Sequence, residues 1–285
     1  MTDQKNTEFA FLEAFTAELS AKKLVFPTSL GATMKIRKAL SQADISTDMV
    51  TRIIGTEPVL SAKVLHLSNS ASFNAQGRKI SDLRAATNLL GFSAVRNLAI
   101  SIGMKQLAEN KYNGSLSAQM DGLWRRSLRV AALAMVIART YTRLSADKAM
   151  LAGLLHDIGK FYILNRANHY QELFKSEQVL WDLIDHWHAS IGSAILEDWE
   201  ISEDIRVAVM DHRDHRPGPT HKVALIDVVT VADFLDAHFV NESIDTLDWN
   251  TVPVSFKLLN IDKDNIEALM QETRTELALV LKAIN

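Results

Sequence analysis

A chain of 285 residues, 47% of them hydrophobic and 23% charged, can bury one large core or two modest ones at about 150 residues per domain. Its net charge of -3 and pI near 6.3 argue against a generalised nucleic-acid binder or a polybasic membrane-surface protein. The absence of cysteine excludes disulfides and thiolate-bound metals, so any metal site must be built from histidine and carboxylate.

The first stretch carries Asp3, Glu8, Glu13 and Glu18, a pattern wrong for a secretory signal. The longest uncharged apolar run, Val130 to Ala138, is far shorter than the ~20 residues a membrane span needs, so a cytoplasmic protein is expected. Phe11, Leu12, Phe15 and Leu19 predict an amphipathic helix that stops before Pro27. Thr28-Ser29 then cap a helix with Leu30, Met34 and Leu40, and Ser46 opens another with Val50, Ile53 and Ile54. After Pro58, Leu60, Val64 and Leu67 mark a helix running into the polar stretch Ser68 to Phe73. Ile80-Ser81-Asp82 reads as staple and cap for a helix that Gly91 terminates, and Ser93 caps the next, with Val95, Leu98, Ala99 and Ile102 on one face.

Asn113-Gly114-Ser115 is the clearest flexible junction, dividing the chain into 1–113 and 114–285. Beyond it Trp124, Leu128, Ala131, Ala132 and Met135 predict a long helix, with Arg125, Arg126 and Arg129 near its start, where the helix dipole disfavours cations. Further helices follow at Ile191 to Trp199, at Ile205 to Val209, over the apolar stretch Val223 to Phe239, and from Asp262 to the end. No run alternates with strand periodicity.

The chemistry concentrates in Leu154-Leu155-His156-Asp157-Ile158-Gly159-Lys160. Leu151, Leu154, Leu155, Ile158 and Tyr162 form a helical stripe that carries the His-Asp pair into a core. A buried carboxylate without a partner costs several kcal/mol, roughly, so Asp157 must meet a metal, a cation or several donors. His188 shares a helical face with Ile191, Ile195 and Trp199, and Asp233 interrupts the apolar run Val228 to Leu235, so both are candidates to join it. The segment Arg213 to Pro219 reads as a solvated loop, with anion binding as the alternative. There is no Gly-rich phosphate loop and no serine nucleophile elbow.

The stretches Phe26-Pro27-Thr28-Ser29-Leu30, Ile54 to Leu65, Leu67 to Phe73 and Leu89 to Leu98 resemble the N-terminal bundle of the HDOD family. The second half resembles the HD superfamily of metal-dependent phosphohydrolases, particularly its HD-GYP branch, through Leu154 to Lys160, His188 to Gly192 and Val231-Ala232-Asp233. The resemblance implies an all-α fold: an N-terminal helical bundle packed on a C-terminal HD-type helical domain with a closing C-terminal helix. It also implies metal ligation by His156, Asp157, His188, His212 and Asp233. Two departures oppose this. Arg126 stands where relatives have their first histidine ligand, and Arg213 follows His212 where they have a second histidine. A guanidinium neither loses its proton nor tolerates a neighbouring cation, so a two-metal centre is disfavoured.

The reading the resemblance then supports is a bacterial signal-transduction module with a degenerate, non-catalytic site. Its partner would be another signalling protein or a small anionic ligand such as a nucleotide, held through Arg126 and Arg213. The alternative is a phosphohydrolase with one divalent ion (Mn, Fe, Zn or Mg), in which Lys160 stabilises developing charge.

Overall fold

The computed structural model describes residues 2–21, 38, 42, 44–56, 58–70, 73–74, 77, 79–109, 112, 116–169, 177–213, 221–240 and 247–284. Among these the chain is helical throughout, with no strand. The helices are α1 (Thr2–Ser20), α2 (Thr47–Gly55), α3 (Pro58–Ser68), α4 (Leu83–Ala108), α5 (Leu116–Tyr141) and α6 (Ala146–Leu155). They continue as α7 (Ile158–His169), α8 (Glu177–Asp198), α9 (Glu203–Asp211), α10 (Leu225–Val240), α11 (Val254–Leu258) and α12 (Ile266–Ile284). The helix expected after Thr28-Ser29 and the junction Asn113 to Ser115 lie outside the described residues.

Local chemistry sets the boundaries. Ser46 accepts from Met49 N at 3.2 Å, Asp82 from Ala85 N at 2.9 Å and Ser145 from Lys148 N at 3.3 Å, each satisfying an otherwise unpaired amide of a first turn. Gly91 breaks α4 with φ 78 and ψ 159, a backbone that side chains other than glycine rarely adopt. Just after α3, Asn69 is tied to Ile80: its Nδ2 donates to Ile80 O at 2.7 Å while its Oδ1 accepts from Ile80 N at 2.8 Å.

Helices α2, α3 and α4 pack together as the N-terminal bundle, and α5 is the spine of the second half, lying against α6, α10 and α12. Val130, Leu133, Ala134, Val136, Ile137 and Ala138 on α5 are fully buried, so its small residues admit close neighbours. Helix α12 also touches α3 and α4, joining the two halves. Helix α5 starts at Leu116, earlier than the sequence suggests. Arg125, Arg126 and Arg129 therefore sit in its middle, where side-chain partners rather than the dipole decide their energy. No helix among the described residues is long and apolar enough to cross a membrane.

Helix α1 docks on the second half. Phe11 and Phe15 meet the Tyr162 ring edge-on at 6.4 and 5.3 Å. Glu18 accepts from Tyr162 Oη at 2.7 Å and pairs with Arg166 Nη2 at 2.7 Å. Phe15→Ala is expected to cost about 3 kcal/mol through the cavity it leaves. Hydrogen exchange should then show α1 losing protection before α5 does; uniform loss would show that α1 is not a separately docked element.

Candidate functional site

The His-Asp pair occupies a joint between two helices where the apolar stripe suggests one. Helix α6 ends at Leu155, His156 and Asp157 form a turn, and α7 starts at Ile158. Asp157 O accepts from Lys160 N at 2.9 Å and Phe161 N at 3.3 Å, so Asp157 closes one helix and opens the next. Both residues are fully buried. The stripe reads through because the backbone of His156 stays helical, with φ -55 and ψ -33.

Two more histidines converge on the joint, His188 from α8 and His212 from the end of α9, both 2% exposed. The ring of His212 lies 5.5 Å from that of His156 and 6.4 Å from that of His188. All three are oriented alike. Nδ1 donates to a backbone carbonyl, that of Gly153 at 2.7 Å for His156, of Ile184 at 2.7 Å for His188 and of Val209 at 3.0 Å for His212. This fixes Nδ1 as the protonated nitrogen of the neutral rings and turns all three Nε2 atoms inward, where none has a hydrogen-bond partner. Backbone-tethered imidazoles with free inner nitrogens are the usual arrangement of metal-ligating histidines. Ligand atoms of Asp157, His188 and His212 all lie within 4.8 Å of one another. Two imidazoles and a carboxylate suit Zn, Mn or Fe, so these residues fit one divalent ion.

The other side of Asp157 is filled by arginine. Arg126 Nε reaches Asp157 Oδ2 at 3.2 Å, Nη1 reaches Asp236 Oδ2 at 2.9 Å, and Nη2 bonds Asp233 Oδ1. Asp236 is held in turn by Arg129, Nε to Oδ1 at 2.6 Å and Nη2 to Oδ2 at 3.1 Å. The pairing follows from helical spacing: Arg126 and Arg129 on α5 and Asp233 and Asp236 on α10 are each three residues apart, hence on facing sides of two packed helices. Lys160 Nζ completes the shell of Asp157 at 2.9 Å.

Electrostatics divides the pocket. Burial lowers the pKa of His156, but Asp157 and Asp233, 3.2 and 3.3 Å from its Nε2, outweigh burial and raise it to about 9. These contacts attract by charge without hydrogen-bond alignment. Burial pushes His212 down to about 4, aided by the neighbouring His156, and lowers His188, aided by Lys160. His188 and His212 are thus neutral at pH 7, the state a metal ligand requires. Burial opposes ionisation of Asp157, yet His156, Lys160 and Arg126 hold it well below the usual carboxylate range. Burial likewise opposes the charge on Arg126, and Asp233, Asp157 and Asp236 more than restore it.

Residues 26–215 match the family model of the HDOD domain, two thirds of the chain. The chain belongs to the HDOD family. Its fold is similar to that of a solved Shewanella amazonensis protein described as a "Putative metal-dependent phosphohydrolase", at TM-score 0.73, 22% identity and coverage of 98% of this chain and 99% of that one. It is also similar to an HDOD domain protein of unknown function from Geobacter sulfurreducens, at TM-score 0.63, 23% identity and coverage of 90% and 92%. A Marinobacter aquaeolei protein described as a "Putative signal transduction protein" matches at TM-score 0.60 and 17% identity, over 99% of this chain and 65% of that one. An uncharacterized protein of Treponema pallidum is 24% identical over 231 residues, 74% of this chain but only 43% of its own length, so the chain spans less than half of that relative.

In this HDOD chain the residues singled out by sequence fall in three places. Asp157, His188 and His212 form the set within reach of one ion. Asp233 bonds Arg126 and lies 3.3 Å from His156 Nε2. Arg213 stands at the rim, its side chain 41% exposed and 3.6 Å from Asp185, and bonds neither Asp157 nor Asp233. Asp236, which anchors two arginines, goes unnoticed in the sequence; its signal is the three-residue spacing from Asp233, matched by Arg126 and Arg129.

Proposed function

We propose that this HDOD chain is a regulatory binding module whose HD-type site carries one built-in cation, Arg126, and keeps ligands for one exchangeable divalent ion. The bonding of the Arg126 guanidinium to Asp157, Asp233 and Asp236 carries this reading. A guanidinium balances carboxylate charge as a first metal ion would, but offers no open coordination position and no proton to exchange at neutral pH. Two-metal hydrolysis works with ions about 3.5–4 Å apart, and here one of the two positions is taken by a side chain. The "signal transduction" description of the Marinobacter protein is in keeping with a regulatory role.

The arrangement of Asp157, His188 and His212 favours a second reading, a phosphohydrolase reduced to one metal. A divalent ion bound there would supply Lewis acidity toward a phosphoryl oxygen. Lys160, 6% exposed and held against Asp157, would offer positive charge beside it. Among the described residues, the site's carboxylates are all engaged as acceptors and none is left free as a base. Asp157, Asp233 and Asp236 all accept from Arg126, and Asp157 and Asp236 accept from Lys160 and Arg129 as well. The inner nitrogens of His188 and His212 present lone pairs that repel a bare oxyanion, so an anionic ligand such as a nucleotide is better accommodated with the ion bound.

Metal analysis combined with assays against phosphomonoesters and phosphodiesters tests both readings. One ion per chain with turnover no faster than that of Asp157→Asn supports the regulatory module. Turnover that depends on the ion and disappears in Asp157→Asn would establish the one-metal hydrolase instead.

A further inference from the structure

We propose that two glycines beside the His-Asp joint set the spacing of the site: Gly159 fixes His188 against Asp157, and Gly153 fixes Arg126 against Asp157. The inference rests on the reading that the site takes one ion. A methyl carbon on Gly159 would lie 1.9 Å from His188 O, 2.8 Å from His188 C and 2.9 Å from Gly192 N. On Gly153 it would lie 2.7 Å from Val130 O and 2.8 Å from Ala131 Cα. All of these are backbone atoms, which cannot rotate aside.

Neither glycine is needed for backbone conformation, since the positive-φ glycines among the described residues are Gly77 and Gly91. Alanine would favour each helix by about 1 kcal/mol, so helix propensity argues against glycine at both positions. Close approach explains it. Gly153 belongs to α6, and Val130 lies one turn beyond Arg126 on α5. Gly159 belongs to the first turn of α7, and the atom it faces is the carbonyl of the ligand residue His188 itself on α8. To reach ordinary contact at 3.4 Å, the His188 backbone would have to retreat by about 1.5 Å. Metal sites tolerate distance errors of about 0.2 Å, so His188 would leave the ligand set although no ligand had been changed. The contact of Gly192 is milder, 3.1 Å to Val209 Cγ1 and 3.4 Å to Gly159 N, so alanine there leaves the spacing nearly intact.

Titration with Co²⁺, followed by visible absorption and calorimetry, tests this on the full chain and on Gly159→Ala, Gly153→Ala and Gly192→Ala, with thermal unfolding of each. Gly159→Ala should weaken Co²⁺ binding by about 100-fold and lose the wild-type absorption bands, the upper range for disturbing a ligand's support. Gly153→Ala, whose backbone overlap is also severe, should keep those bands with affinity within about 10-fold, because its clash parts Arg126 from Asp157 and leaves the contact between Gly159 and His188 untouched. Gly192→Ala should match wild type. If Gly159→Ala does not fold, Gly192→Val carries the test, wedging the same helix contact and weakening binding by about 10-fold. Wild-type affinity and bands in the Gly159 or Gly192→Val variant, or equal losses in the Gly153 and Gly159 variants, would overturn the spacer role. Failure of wild type to bind Co²⁺ would overturn the single-ion reading and the spacer role with it.

Discussion

Arg126→Ala is expected to lower the unfolding free energy by about 3 kcal/mol, seen as a lower urea midpoint at unchanged m-value. The Arg126 side chain is 24% exposed and ties α5 to α10 and to the α6–α7 joint through three carboxylates, of which Asp157 and Asp236 are 0% and 3% exposed. Removing one partner of a buried pair typically costs about 3–5 kcal/mol. The lower end applies because Asp157 keeps Lys160 and Asp236 keeps Arg129. The loss should be partly reversible by ligand. Without the guanidinium, Asp157 and Asp233 can take an ion, and free metal at a hundred times its dissociation constant stabilises by about 2.7 kcal/mol. The variant should therefore gain more thermal stability from added divalent metal than wild type does. An Arg126→Ala protein as stable as wild type, or indifferent to metal, would show that the guanidinium is not a resident cation.

Asp157→Asn should abolish ion binding and destabilise the fold, whereas Asp233→Asn should spare the ion. Asp157 is the one carboxylate in the ligand set with His188 and His212, and it also accepts from Lys160 at 2.9 Å and Arg126 at 3.2 Å. The amide keeps the shape but removes the charge, leaving the buried Lys160 and the half-buried Arg126 facing a neutral group, at a cost of about 3 kcal/mol. Affinity should fall by more than the roughly 100-fold seen when only a supporting residue is lost. Asp233 lies on the arginine side and is 15% exposed. Its loss should change affinity less than about 10-fold, the lower range for a residue outside the ligand set. Calorimetric titration with Zn²⁺ decides this. Equal losses in the two variants would place the ion among His156, Asp157 and Asp233 instead.

Much of this was legible in the residues. The helical stripe Leu154, Leu155, Ile158 and Tyr162 signals burial, and the caps Ser46 and Asp82 are local hydrogen-bond chemistry that needs no tertiary information. The need of Asp157 and Asp233 for a partner follows from the cost of burying charge, and Arg126 meets it. What periodicity could not supply was direction. The joint at His156-Asp157 is invisible because the backbone of His156 remains helical, and Arg126 and Arg213 look alike as cations until packing sends one to three carboxylates and the other to the rim. Nor does sequence alone separate His156, drawn to Asp157 and Asp233, from His188 and His212, kept neutral by burial. That division depends on distances between helices α5, α8, α9 and α10.

On the proposed reading Arg126 fills the first cation position and leaves ligands for one ion. The most direct measurement is the number of metal ions per chain, by inductively coupled plasma mass spectrometry, in wild type and Arg126→His after equilibration with Mn²⁺ or Zn²⁺. Replacing the guanidinium by imidazole removes the fixed charge and adds a ligand beside His156, Asp157 and Asp233, so the expected result is one ion in wild type and two in the variant. Two ions in wild type, or one in both proteins, would contradict it.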